Sequence, residues 1–338
     1  PADPRPPAAG RFVERRRRAV VSVPMSLRAP AATTPAVRAR PARLPAMQVA
    51  AGYVALTKPR IVELLLVTTL PTMVVAARGL PSVALMAATL AGGSLAAGGA
   101  NAVNMVVDRD IDAVMKRTAR RPLVTGVMSP RAALRFAVGL EVAAFAELWA
   151  LVNLLSAVLA VSATLFYVFV YTLWLKRTSS SNIVVGGAAG AVPVLVGWAA
   201  VTGSISAAPL VLFALVFVWT PPHFWALAIK YRDDYRSVDV PMLPVVAPFT
   251  RVARQILAYT VAVWATSAAF GAVARMHALY WATAMVLGAA FTVLAVRLCR
   301  DHSEARAMRL FAYSITYLTL LFGAMAVDQL VLHGAWPR

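Results

Sequence analysis

Apolar runs of about 18 or more residues follow one another along nearly the whole of this chain, each long enough to cross a bilayer as a helix. Lipid offers the backbone no hydrogen-bond partners, so a crossing segment satisfies its own groups as a helix or within a closed barrel. Barrel strands alternate polar and apolar residues, and that alternation is absent. The expected fold is therefore an all-α polytopic membrane protein. Composition agrees: 14% of the residues are charged, where a soluble domain has roughly 25%. The single cysteine, Cys299, excludes an internal disulfide and a CxxC-type metal site; such a residue is more often a small buried apolar group than a reactive one.

Nine spans are expected, near residues 61–77, 83–103, 132–151, 155–175, 183–202, 209–229, 252–272, 279–296 and 310–332. Lys and Arg crowd one set of connections, from Arg109, Lys116, Arg117, Arg120, Arg121 and Arg131 through Lys176, Arg177, Lys230, Arg232 and Arg236 to Arg306 and Arg309. Opposite connections hold only Arg78, Arg275 and the terminal Arg338. The positive-inside rule then puts the amino terminus in the cytoplasm and, with an odd number of spans, the carboxyl terminus outside.

The net charge of +19 suggests a nucleic-acid partner only until it is mapped. Much of it lies in residues 1–46, where the run Arg15 to Arg18 and further arginines face two acids, Asp3 and Glu14. That Pro-, Ala- and Arg-rich segment lacks the apolar period of a packed core, so 1–46 is expected to be a disordered basic tail and 47–338 the membrane domain. The tail also fits a transit peptide, or translated sequence ahead of a start at Met25 or Met47. A bacterial inner membrane is the favoured location, with the mitochondrial inner membrane as the alternative.

Of the 14 acidic residues, six fall in two connections on the expected cytoplasmic side: Asp108, Asp110 and Asp112, then Asp233, Asp234 and Asp239. In the first, Asn104, Asp108 and Asp112 are spaced i, i+4, i+8, so a helix continued past the membrane boundary stacks them on one stripe and turns Asp110 away. Carboxylates beside an amide oxygen suit a hard cation such as Mg²⁺, which is held by one or two carboxylates plus substrate phosphates. Interleaved Lys116, Arg117, Arg120 and Arg121 then suit the anionic oxygens of a diphosphate. The plainer alternative is a solvated loop obeying the positive-inside rule; that accounts for the arginines but not for the aspartates.

The stretch "NMVVDRDIDAVMKRTARRPL" resembles the Asn/Asp-rich motif of the UbiA-type intramembrane prenyltransferases, in the wording of the branch that prenylates protoheme IX. Further matches are "LTKPRIVELLLVTTLPT", "LKRTSSSNIVVGGAAGAVPVLVGW", "WTPPHFWALAIKYRDDY" and "VPMLPVV", so the resemblance spans about residues 50 to 330. It implies nine helices around a lipid-facing cavity, where polyprenyl diphosphate is held through Mg²⁺ by two acidic motifs. Carried over by position, Asn104, Asp108 and Asp112 form the first motif and Asp233 and Asp234 the second. The superfamily often shows D-x-x-x-D in the second motif. Here Ser237 and Val238 stand at the fourth positions, and Asp239 is out of register with both aspartates.

The resemblance further implies transfer of a farnesyl group from farnesyl diphosphate to a vinyl group of heme b, with addition of hydroxyl, to give heme O for terminal oxidases. Heme b is then substrate rather than cofactor, and heme A synthase or oxidase assembly factors are the implied partners besides the bilayer. Lys58, Arg60 and Lys176 join the cluster cations as candidates for diphosphate contacts, with interfacial anchoring the equal alternative for each. His223 is a candidate for a contact to heme iron or a propionate, though a lone histidine near a span end is more often structural. Tracts such as "GGSLAAGGANA" are read first as close helix packing. Three rivals remain: a prenyltransferase for an aromatic acceptor such as 4-hydroxybenzoate or a quinone precursor, a secondary transporter, and an inactive scaffold. Transporter sites lie near the bilayer midplane, whereas these acids sit at one membrane face.

Overall fold

The computed structural model describes residues 45–333, and the side chains among them except at residues 60–66, 332 and 333. All but the last two residues of the basic segment 1–46, and the side chain of Arg60, therefore lie outside the described residues. Every regular element described is helical: α1 Ala46–Thr57, α2 Pro59–Ala77, α3 Val83–Val107, α4 Arg109–Val114, α5 Pro130–Leu151 and α6 Leu154–Leu165. A π-helical segment Phe166–Leu175 follows, then α7 Lys176–Thr178, α8 Asn182–Thr202, α9 Ala207–Lys230, α10 Arg232–Arg236 and α11 Leu243–Val246. The chain closes on α12 Phe249–Val273, α13 Ala278–Arg300 and α14 Glu304–His333.

Among the described residues, seven helices are long and apolar enough to cross a membrane: α3, the continuous stretch Leu154–Thr178, α8, α9, α12, α13 and α14. The other two long helices are α2 and α5, and α5 carries Arg131, Arg135, Glu141 and Glu147 among its apolar residues. Each expected segment falls on one of these long helices, most of which overrun it by a few residues. Ser82 accepts from the Leu85 amide at 3.2 Å, Ser129 from Ala132 at 3.2 Å and Asn153 from Ser156 at 2.8 Å, each satisfying an orphan donor of a first turn. Asn153 also donates to the Ala199 carbonyl of α8 at 2.8 Å, tying two helices together.

The largest apolar core lies among α8, α9 and α12 to α14, and smaller clusters join α1, α3 and α5 and then α3, α5, α6 and α8. Trp149, Phe169, Trp174 and Val286 are exposed, as suits side chains whose solvent is hydrocarbon. Small residues set the closest approaches. Gly92 and Gly99 of α3 lie against Glu147 and Glu141 of α5, and Gly288 of α13 lies against Trp264 of α12. The first of these tracts leaves the opposite flank of α3 free to wall a cavity.

Candidate active site

The site begins where α3 becomes α4. The Asp108 amide donates to the Asn104 carbonyl at 2.9 Å, and the Asp108 carbonyl accepts from the Asp112 amide at 2.8 Å. Helical bonding thus continues through the junction and stacks Asn104, Asp108 and Asp112 along one side. All three are buried, Asp108 completely. The Asn104 amide donates to Asp108 Oδ2 at 2.6 Å and to Thr172 Oγ1 at 3.3 Å. Asp110 turns away and its side chain is 60% exposed.

Each member of the stripe meets a cation. Lys58 Nζ donates to Asn104 Oδ1 at 3.0 Å, Lys176 Nζ to Asp108 Oδ2, and Arg121 Nη1 to Asp112 Oδ2 at 2.5 Å. Arg177 forks onto Asp110 at 2.7 and 2.8 Å, reaches the Val107 carbonyl at 3.2 Å and lies 3.6 Å from Asp108 Oδ1. The fork holds the Asp110 carboxyl at about 2, below the usual carboxylate range. Burial, aided by the Arg121 and Lys176 charges, pushes the Lys58 ammonium down to about 7. Lys58 has a left-handed backbone, φ 50°, between α1 and α2, a costly conformation for a non-glycine residue that delivers its side chain to the stripe.

The π-helical segment supplies the facing wall. Its wide turns are uncommon and mark functional positions in many helices. Here they carry Thr172 to Asn104, deliver Lys176 to Asp108 at the segment's end, and stack the rings of Tyr167 and Tyr171 with centroids 5.3 Å apart. Thr172, Arg177 and the two tyrosines were not singled out as site residues in the sequence. The π-helical register, which no periodicity announces, brings Thr172 to the stripe and sets the two tyrosines on the cavity wall, while Arg177 follows it in α7.

The second acidic connection meets the first at Arg117, whose amide donates to Asp234 Oδ2 at 3.4 Å and whose guanidinium lies over the Tyr231 ring, 5.3 Å from its centroid. A shallow pocket of about 420 Å³ between them is lined by Lys116, Arg117, Lys230, Tyr231, Asp233 and Asp234. The structure does not bring Asp233 and Asp234 into one ligand set with Asp108 and Asp112. Asp233 is 91% exposed and paired with Arg236 at 3.0 Å, and among the described residues no three His, Cys, Asp or Glu side chains gather to hold an ion. Asp239 takes φ 53° in a turn beyond α10. Arg120 is exposed.

Behind the stripe lies an apolar cavity of about 450 Å³, walled by α2, α3, α6, the π-helical segment, α8, α9 and α14. Asn101, one turn before Asn104, and Tyr171, next to Thr172, line its near end. His223 lines it too, stacked between Trp219 and Phe311 at 4.3 and 4.7 Å, with Nδ1 2.7 Å from Ser314 Oγ. Polar groups along one end of an apolar chamber suit an amphiphile with an anionic head. Asp108 Oδ1 is buried without a hydrogen-bond partner, and the other oxygens of the stripe are the Asp112 carboxylate and the Asn104 amide oxygen, which now faces Lys58. That set fits a hard divalent cation whose remaining ligands come from a substrate.

The UbiA prenyltransferase family model matches residues 65–322. A protoheme IX farnesyltransferase of Frankia casuarinae is 55% identical over 285 residues, which are 83% of this chain and 99% of that protein. Among solved structures, a digeranylgeranylglyceryl phosphate synthase aligns with a TM-score of 0.70 at 14% identity, over 84% of this chain and 99% of that one. A UbiA homolog from Archaeoglobus fulgidus bound to GPP and Mg²⁺ aligns with a TM-score of 0.58 at 15% identity, over 81% and 99%. At such identities the two structures speak for the fold alone.

Proposed function

Because the chain belongs to the UbiA prenyltransferase family, an integral membrane family, we propose that it transfers the farnesyl group of farnesyl diphosphate to a vinyl group of heme b and adds hydroxyl, giving heme O. One observation carries the chemical part: the buried Asn104–Asp108–Asp112 stripe, ringed by cations, stands at the near end of the 450 Å³ apolar cavity. The acceptor rests on the 55% identical farnesyltransferase. In this reading all nine long helices cross the bacterial inner membrane, and the stripe faces the cytoplasm on the Arg-rich side.

Asn104, Asp108 and Asp112 would hold Mg²⁺ together with the diphosphate, and Asp233 and Asp234 would serve the same anion from the second connection. The metal, when bound, would draw charge from the departing diphosphate. Lys58, Lys176 and Arg121 sit beside the stripe, and Lys116 and Arg117 line the pocket next to it, so all five can meet phosphate oxygens; Arg60 and Arg120 complete the proposed set. Placed cations of this kind stabilise charge as it develops on the leaving group and need no rearrangement to do so. The chamber keeps water from the allylic cation while the vinyl group attacks it, with the Tyr167 and Tyr171 rings lining the wall. Water then adds to the cation this leaves on the heme side chain and loses a proton, giving the hydroxyl. No protein nucleophile is required.

The test incubates membranes containing the full chain with heme b, farnesyl diphosphate and Mg²⁺, followed by mass spectrometry of the extracted hemes. Hydroxyethylfarnesyl heme is the expected product. Prenylation of an added aromatic acceptor, with heme b unchanged, would overturn the assignment.

A further inference from the structure

Every side chain of the proposed metal stripe already has a partner, and each partner is a basic side chain of the protein. Lys58 holds Asn104, Lys176 holds Asp108 and Arg121 holds Asp112. With Arg177, three charged side chains stand one for one against the carboxylates of Asp108, Asp110 and Asp112. The Lys176 and Asp108 side chains are 13% and 0% exposed, so this pair is largely shielded from water. A free divalent ion approaching Asp108 meets a carboxylate whose charge is already neutralised. It must shed tightly held water and expel Lys176 from Asp108, its ion-pair partner. An ammonium left inside the protein without its counter-charge is strongly unfavourable. Diphosphate changes this balance, because its oxygens can take over Lys176 and Arg121 as the metal takes over the carboxylates.

Resting on the diphosphate reading above, we propose that Lys176, with Arg121, is a resident counter-ion that closes the stripe to free divalent metal and opens it only when a diphosphate arrives. Metal and diphosphate then enter as a coupled pair, and each raises the affinity of the other by the same factor. The absence of a ready-made set of three ligands among the described residues agrees, since the metal alone would find an incomplete and occupied site. Lys176 is in this role a gate on the metal as well as a contact to the substrate.

The experiment reads binding rather than turnover. Mn²⁺ is titrated into the detergent-purified full chain and followed by electron paramagnetic resonance, first alone, then with inorganic pyrophosphate, then with a non-ionising farnesyl thiolodiphosphate. In the wild type, either diphosphate is expected to tighten Mn²⁺ by about tenfold or more, within the usual range of coupling between two ligands. Lys176→Met is expected to bind Mn²⁺ alone more tightly than wild type and to lose most of that coupling. Lys176→Gln, which keeps a hydrogen-bond donor for Asp108, is expected to fall between the two. As a second measurement, Mn²⁺ alone should raise the melting temperature of Lys176→Met and not that of wild type. Wild-type protein that binds Mn²⁺ equally well with and without diphosphate overturns the gate but leaves the site reading intact. Unchanged coupling in folded Lys176 variants does the same. No Mn²⁺ binding under any condition overturns both.

Discussion

Asp110 and Arg177 form a two-pronged ion pair, 2.7 and 2.8 Å, on the outer side of the helix junction whose inner side carries Asp108. The same guanidinium reaches the Val107 carbonyl and approaches Asp108, so the outer pair braces the inner carboxylate without belonging to the stripe. Asp110→Ala should therefore lower kcat/KM by under about fivefold, since a half-exposed ion pair is worth about 1 kcal/mol or less. Asp108→Ala and Asp112→Ala should each cost at least about a hundredfold, the scale of losing a placed electrostatic group at developing charge. Heme prenylation by inserted, purified variants checks this. Equal losses at all three positions would count against the stripe.

Lys58 gives the free protein a pH response. Its folded value near 7 lies below the ordinary 10.5, so its ammonium is largely neutral above pH 7 and charged below it. The sign for stability follows: folding favours the neutral form, so burying Lys58 costs progressively more as pH falls from 10.5 to 7, then no more. A bound diphosphate would reverse the preference and raise the value. Binding of the thiolodiphosphate at pH 8 should then take up a proton, and its affinity should fall by up to about tenfold per pH unit above 7. Calorimetry in two buffers of different ionisation heat measures the uptake, and Lys58→Met should abolish it.

The apolar runs and the i, i+4, i+8 spacing of Asn104, Asp108 and Asp112 made the helices and the stripe legible before any coordinates, because both are periodic. What periodicity cannot carry is contact between distant segments. Thr172 and Lys176 reach the stripe through a π-helical register that the uniformly apolar run before Lys176 conceals. Arg177 looked like a topology marker and proves to brace the junction, since a charge count assigns a side of the membrane but no partner. The second acidic connection shows the same limit. Its aspartates resembled the first set in composition, yet Asp233 faces outward on Arg236, and it is the Arg117 amide that links Asp234 to the first connection.

Gly93 tests the cavity. It lines the chamber, and a Cβ built there meets no neighbouring atom within 4 Å. Gly93→Leu should therefore fill the chamber without disturbing the helix contacts, and replacing glycine within a helix is itself mildly favourable. The expected outcome is a melting temperature in detergent at or above that of wild type, together with a loss of heme prenylation of tenfold or more, about the effect of 1.4 kcal/mol of lost binding. Full activity in a stable Gly93→Leu protein would show that the substrates lie elsewhere.

Gly99, six residues further along α3, should behave in the opposite way. A Cβ there would stand 2.5 Å from Glu141 Oε1, 2.9 Å from Glu141 Cγ and 3.0 Å from the Ala137 carbonyl oxygen. The glutamate can swing aside, although its Oε1 also accepts from Thr164 at 3.2 Å and would give up that bond. The Ala137 carbonyl cannot move, because it belongs to the backbone of α5. Gly99→Val must therefore push α3 and α5 apart, an overpacking cost of about 1–3 kcal/mol. Its melting temperature should drop clearly, and activity should fall in parallel because Asn104 lies little more than one turn away on the same helix. Gly99→Ala, with one methyl group, should fall between wild type and Gly99→Val in both measurements. A stable Gly99→Val protein would mean that the α3–α5 contact yields, and that the glycine there serves the chamber rather than the packing.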